Sequence, residues 1–166
     1  MSRSLIAIAV MAAALMGTPS SIAGDQGVTK APASAGTQKP APHVDLSKYP
    51  AAVRSTIEAE TKNATLKGVS KETENGKVQY EVETLINGKS RDLLVDPSGK
   101  VIEVEEEIAV DGAPAPVQAA LNARGKVLKL ERVTRGSTTS YEASVSSKSG
   151  KKSSVALDAE GKPAKG

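Results

Sequence analysis

The chain carries the same pattern twice. Tyr80-Glu81-Val82, Gly88-Lys89 and Leu94-Val95-Asp96-Pro97-Ser98-Gly99-Lys100 return as Tyr141-Glu142-Ala143, Gly150-Lys151 and Ala156-Leu157-Asp158-Ala159-Glu160-Gly161-Lys162. The offset is about sixty residues throughout, and it preserves turn residues and apolar positions together, so the chain encodes two copies of one folding unit. A unit of that length is near the lower limit for burying enough surface alone. The two copies are therefore expected to share packing. With three Tyr, no Phe and no Trp, that packing must be built from Val, Ile, Leu and Ala.

Each copy reads as one helix followed by an antiparallel meander, an α+β class fold of the form α-β-β-β-β and then α-β-β-β, with the helices packed on one face of the sheet. In the first copy Pro50 suits the first helical position, with Val53 and Ile57 four residues apart on one face. Asn63 marks the helix end. Strands are expected over 66–73, 77–86, 89–95 and 101–107. Asn87-Gly88 is the strongest short hairpin signal there is, a two-residue turn with both residues at positive φ. Such a turn sets Tyr80 opposite Val95, Val82 opposite Leu93 and Glu83 opposite Asp92. If Ser98-Gly99 is also a two-residue loop, Val95 faces Ile102, Leu93 faces Val104 and Asp92 faces Glu105. The helix then covers Val78, Tyr80, Val82, Leu93, Val95, Ile102 and Val104.

In the second copy Pro114 and Pro116 open a helix with Val117, Ala120 and Leu121 inward, and Gly125 ends it. Three strands follow, over 126–134, 138–146 and 151–158. Pro163 stands where the first copy has Val101, so a fourth strand is absent or rudimentary.

Ahead of the repeats, Arg3, the apolar run Leu5 to Met16 and Ser21-Ile22-Ala23 read as a secretory signal cleaved near Ala23, too short to be a membrane span. The resulting organisation is a signal peptide over 1–23, a Pro/Ala-rich disordered tether over 24–45, a first repeat over 46–112 and a second over 113–166. A periplasmic or secreted bacterial protein is expected. The chain has no cysteine, hence no disulfide, thiolate metal site or lipid-anchored cysteine.

Chemistry is sparse. His43, the one histidine, falls in the tether, so a Ser-His-Asp triad, a Cys-His pair and a conventional zinc site are not expected in the folded part. The glycines sit in turns rather than in a phosphate loop. A carboxylate-only glycosidase would need a cleft that so small a meander hardly offers. Tyr80 and Tyr141 fall on the inward phase of their strands and read as core. The hairpin register, by contrast, brings Glu81, Glu83, Asp92, Glu103 and Glu105 to one exposed sheet face. These are the candidate partner-binding residues. Glu83, Asp92 and Glu105 form a row across three strands, the weak candidates for a divalent cation such as Ca²⁺; no other cofactor is expected. A solvated face screened by Lys and Arg is the plain alternative. The equivalent face of the second copy reads Glu142, Ser144, Ser146, Lys152 and Ser154, neutral to basic. Residues 46–112 hold 9 Lys/Arg and 13 Asp/Glu, and residues 113–166 hold 10 and 4. A joined sheet would then be acidic at one end and basic at the other, an asymmetry that favours an electrostatic partner. No aromatics interleave with the basic residues, which argues against nucleic acid.

Tyr49-Pro50-Ala51-Ala52-Val53-Arg54-Ser55-Thr56-Ile57, Val69-Ser70-Lys71-Glu72-Thr73-Glu74-Asn75-Gly76-Lys77, Tyr80-Glu81-Val82 and Leu94-Val95-Asp96-Pro97-Ser98-Gly99-Lys100-Val101 together resemble the PepSY-like group. These are small exported bacterial domains, often in tandem, related in fold to the beta-lactamase inhibitor protein. The likeness spans roughly Leu46 to Lys165 and weakens in the second copy, where Ser137-Thr138-Thr139 and Pro163 depart from it. It rests on turns and core positions. What it implies is a non-enzymatic module that binds or restrains an exported peptidase or other envelope enzyme through the open sheet face. A cation-binding or envelope-stress protein using the acidic row is the alternative.

Overall fold

The computed structural model describes residues 44–164; the signal, most of the tether and His43 lie outside the described residues. A short 3₁₀ turn at Leu46–Lys48, whose Ser47 amide donates to Asp45 Oδ1 (3.0 Å), leads into helix α1, Ala51–Glu60. Strands β1 (Thr65–Glu74), β2 (Lys77–Ile86), β3 (Lys89–Val95) and β4 (Val101–Glu107) follow. A second 3₁₀ turn at Val110–Gly112 precedes helix α2 (Ala115–Asn122), then β5 (Lys126–Arg135), β6 (Thr138–Ser146) and β7 (Lys152–Leu157). All seven strands form one antiparallel sheet in sequence order, so the two meanders join edge to edge through β4 and β5.

Pro50 and Pro114 stand just outside their helices as N-caps rather than at the first helical position. Helix α1 ends at Thr61, whose amide bonds the Ile57 carbonyl at 2.9 Å; Asn63 keeps a negative φ, so it is not the left-handed terminator expected of it. Left-handed Asn occurs instead at Asn75 and Asn87, each followed by a positive-φ glycine in a two-residue hairpin turn. The fourth strand of the second unit is reduced to a bridge between Leu157 and Pro163.

The helices pack over the same side of the sheet, each on its own repeat. Val53 and Ile57 of α1 meet Tyr80, Val82, Leu93 and Val95; Val117 and Leu121 of α2 meet Leu130, Tyr141, Ala143, Val145 and Leu157. The two clusters have no buried residue in common; what the repeats share is the sheet and, at one end of it, Ile108 and Val110 of the first repeat packed against the second cluster. Tyr80 and Tyr141 are buried as core residues. Tyr49 meets Tyr80 edge-to-face at 5.8 Å and donates its hydroxyl to the Val69 carbonyl (2.6 Å).

The register of β2 on β3 is as expected, and so are Leu93 opposite Val104 and Asp92 opposite Glu105. Val95, however, faces Val101 rather than Ile102. The Asp96 amide bonds the Lys100 carbonyl (2.9 Å), closing a three-residue loop over Pro97-Ser98-Gly99 with Gly99 at φ 86. One residue more in the loop would flip every side chain of β4. A bulge at Ile102 restores the phase. Val101 therefore joins the first core cluster, and Ile102 is left more than a third exposed. Two substitutions test this. Ile102→Lys is expected to change stability by no more than about 0.5 kcal/mol, whereas Val101→Ala is expected to cost roughly 1–2 kcal/mol in urea unfolding. The reverse order would restore the two-residue loop.

Candidate functional site

With both helices on one side, no element among the described residues covers the other face of the sheet. Alternation along the strands sends Glu81 and Glu83 of β2, Asp92 and Leu94 of β3, Glu103, Glu105 and Glu107 of β4, Glu131, Val133 and Arg135 of β5 and Glu142 of β6 to this open face. All five candidate binding residues are thus brought to one surface, and Glu83, Asp92 and Glu105 occupy adjacent positions on three strands.

The fold already engages some of them. Asp92 Oδ1 accepts the Thr84 amide of β2 at 3.0 Å. Burial pushes the Asp92 carboxyl above its ordinary pKa although that bond opposes the shift, with Glu131 and Glu83 adding to it. Glu103 is 4% exposed and accepts two bonds from the Arg135 guanidinium, one from Nη2 at 3.0 Å and one from Nε. Glu81 lies beside Glu72 and accepts a long bond from Ser70 Oγ (3.4 Å); burial, then Glu72 and Glu83, raise its pKa. Glu83 is exposed and Glu105 half-buried.

Glu105 is the most perturbed carboxyl. Burial, a hydrogen bond to Glu103, and the charges of Glu103, Glu131 and Glu142 push it up to about 8. The same chemistry extends into the second repeat. Glu131, 5% exposed, pairs with Lys129 Nζ at 2.6 Å and stands directly opposite Glu142. The Glu142 carboxyl is raised by burial, against the pull of Arg135. Burial alone would lower the Lys129 ammonium, but Glu131, Asp92 and Glu107 outweigh it and hold its pKa up. Arg135 is likewise raised, its burial outweighed by Glu103, Glu142 and Glu105.

The open face is therefore acidic across its centre, not acidic at one end and basic at the other. Lys129, Glu131 and Arg135 are not among the candidates that the sequence yields, because the β2–β3–β4 register alone does not reach β5. The signal was present: Gly136-Ser137 separates Arg135 from Thr138, and a glycine-first two-residue turn sets Arg135 opposite Thr138 and hence Glu131 opposite Glu142. The β4–β5 pairing carried no such signal, because a helix and a 3₁₀ turn intervene.

Among the described residues, no group of three or more His, Cys, Asp or Glu side chains is arranged to hold a metal ion. Strand spacing explains why. Side chains in a row across a sheet stand about 4.8 Å apart and nearly parallel, so three carboxylates do not converge on one point. Asp92 is turned away toward the Thr84 amide as well.

No family model and no curated protein matches the chain. Solved structures do. One is a protein of Bacteroides eggerthii DSM 20697 with a provisional periplasmic assignment (TM-score 0.57, 16% identity, 70% of this chain and 86% of that one). Another is a DUF2874 family protein of Bacteroides ovatus ATCC 8483 (0.54, 18%, 70% and 85%), and a third a BLIP-like protein of Bacteroides fragilis NCTC 9343 (0.51, 17%, 70% and 84%). At these identities the likeness establishes the fold: two helices over one face of an antiparallel sheet, a BLIP-like α+β arrangement.

Proposed function

We propose that the chain is an exported, non-enzymatic PepSY-like module that binds, and in doing so restrains, a peptidase or other envelope enzyme through its open sheet face. The observation that carries this reading is the uncovered face itself. Among the described residues the seven strands present one side without a helix over it; Glu83 stands exposed there, while Leu94 and Val133 of the same face are buried. The provisional periplasmic assignment of one structural neighbour and the BLIP-like description of another support export and a binding role. Among the described residues no helix is long and apolar enough to cross a membrane. The cation-binding alternative gains nothing from the parallel row of Glu83, Asp92 and Glu105.

Electrostatic docking of this kind weakens with salt and with reversal of exposed charge. The test is capture from an envelope extract by three baits: the wild-type chain, Glu81→Lys/Glu83→Lys on the open face, and Lys62→Glu at the end of the helix side. Proteins retained by the first and third baits and lost by the second are expected, with retention falling as salt rises. Equal retention by all three would remove the open face from the account.

A further inference from the structure

We infer that the β4–β5 junction is a pH-responsive joint between the two halves of the sheet, closed while Glu105 carries a proton and loosened when it ionises. The inference is independent of the binding reading and concerns the fold alone.

The junction is the shortest ladder in the sheet. It pairs four residues, Val104–Glu107 against Thr134–Glu131, where β1–β2 and β5–β6 each pair nine. Each helix closes its own core, and the apolar crossing is confined to one end of the junction, where Ile108 and Val110 pack against the α2 cluster. What crosses it is mostly polar. On the helix side Glu106 bridges Arg91 of β3 and Arg132 of β5, and Arg91 also reaches Glu60 of α1. On the open side Arg135 of β5 clamps Glu103 of β4. One backbone bond, from the Ile108 amide to the Leu130 carbonyl (2.9 Å), extends the ladder.

Glu105 sits in the middle of this junction, opposite Val133. Every element packed around it contributes charge to the same face. Glu103 and Glu107 come from its own strand, Asp92 from β3 with Glu83 behind it on β2, Lys129, Glu131 and Arg135 from β5, and Glu142 from β6. Two cations serve that group, and both already have a carboxylate partner, Lys129 with Glu131 and Arg135 with Glu103. A protonated Glu105 donates a hydrogen bond to Glu103 and adds no charge. An ionised Glu105 loses that bond and sets a carboxylate of the first repeat against Glu131 and Glu142 of the second. The repulsion falls across the shortest ladder, so opening should be local to the junction.

Site-resolved hydrogen exchange on the full chain tests this, with protection factors corrected for intrinsic exchange. Between about pH 6 and about pH 9 the Ile108 amide is expected to lose about tenfold or more in protection. Amides of the β2–β3 and β5–β6 ladders should hold theirs, and Glu105→Gln should abolish the Ile108 loss. An Ile108 amide that tracks the other ladders, or that responds fully to pH in Glu105→Gln, would overturn the joint. Carboxyl-carbon NMR of the wild-type chain decides the matter even if the variant does not fold: a Glu105 carboxyl that titrates in the ordinary glutamate range excludes it.

Discussion

Gly99→Ala and Gly161→Ala are each expected to lower the free energy of unfolding by roughly 2–4 kcal/mol, and Gly150→Ala by about 1 kcal/mol. The three glycines occupy one turn used three times. In each, the glycine amide bonds a carbonyl three residues back, at 2.9, 3.0 and 2.9 Å for Gly99, Gly161 and Gly150, and φ is 86, 74 and 82°. The backbone term is therefore common to all three. The surroundings differ. A methyl group on Gly99 would stand 2.7 Å from the Ala52 carbonyl oxygen, and one on Gly161 would stand 2.5 Å from that of Pro116; around Gly150 nothing lies within 4 Å. Ala52 and Pro116 are each the second residue of their helix, so the two repeats dock the same turn on the same helical position. In the first repeat Thr56 Oγ also donates to the Gly99 carbonyl at 2.6 Å. The obstructing atoms are helix backbone and cannot swing aside. Urea unfolding of the three variants separates strain from clash. Similar losses at all three positions would mean that the helix yields and that φ alone matters.

That docking explains how much of the fold could be read in the residues. Turns carried the information. Asn87-Gly88 defined the β2–β3 register to the residue, and with it the surface to which Glu83 and Asp92 belong. Where the loop is longer than its Ser98-Gly99 sequence suggests, the consequence stays local, because the bulge at Ile102 absorbs the extra residue of the Pro97-Ser98-Gly99 loop and returns Glu103 and Glu105 to the open face. The join between the repeats was not legible, since the pairing of Val104–Glu107 with Glu131–Thr134 is made across a helix and depends on tertiary packing rather than on any local signal. The centre of the acidic surface was hidden for the same reason. Glu131 and Arg135 come to Glu103 and Glu105 only through that pairing, so a charge count by repeat placed the acidic residues at one end of a surface that is in fact acidic across its middle.

The folded chain is expected to lose stability as pH rises from about 5 to about 9, by about 2 kcal/mol, and Glu105→Gln is expected to remove most of that loss. The sign follows from the direction of the shift. Glu105 is raised from 4.5 to about 8 by burial and by its carboxyl neighbours, so folding takes up a proton between those values. Its contribution is fully present below the unfolded pKa and is lost as pH climbs through the folded one. At 1.36 kcal/mol per unit the full shift would amount to about 5 kcal/mol. Partial exposure and the sharing of charge across the face screen it to about 2 kcal/mol. Glu81, Asp92 and Glu142 are raised as well and act in the same direction. Asp96 is lowered, chiefly by its bonds from Ser98 and Lys100, so its opposite contribution fades only at still lower pH, outside this window. Gln at position 105 mimics the protonated acid. It should be nearly neutral at about pH 5 and more stable than wild type at about pH 9. Urea midpoints at the two pH values, at fixed ionic strength, measure the difference. A wild-type chain that gains stability on going to alkaline pH, or a variant whose curve runs parallel to it, would show that Glu105 ionises on the open face without cost to the fold.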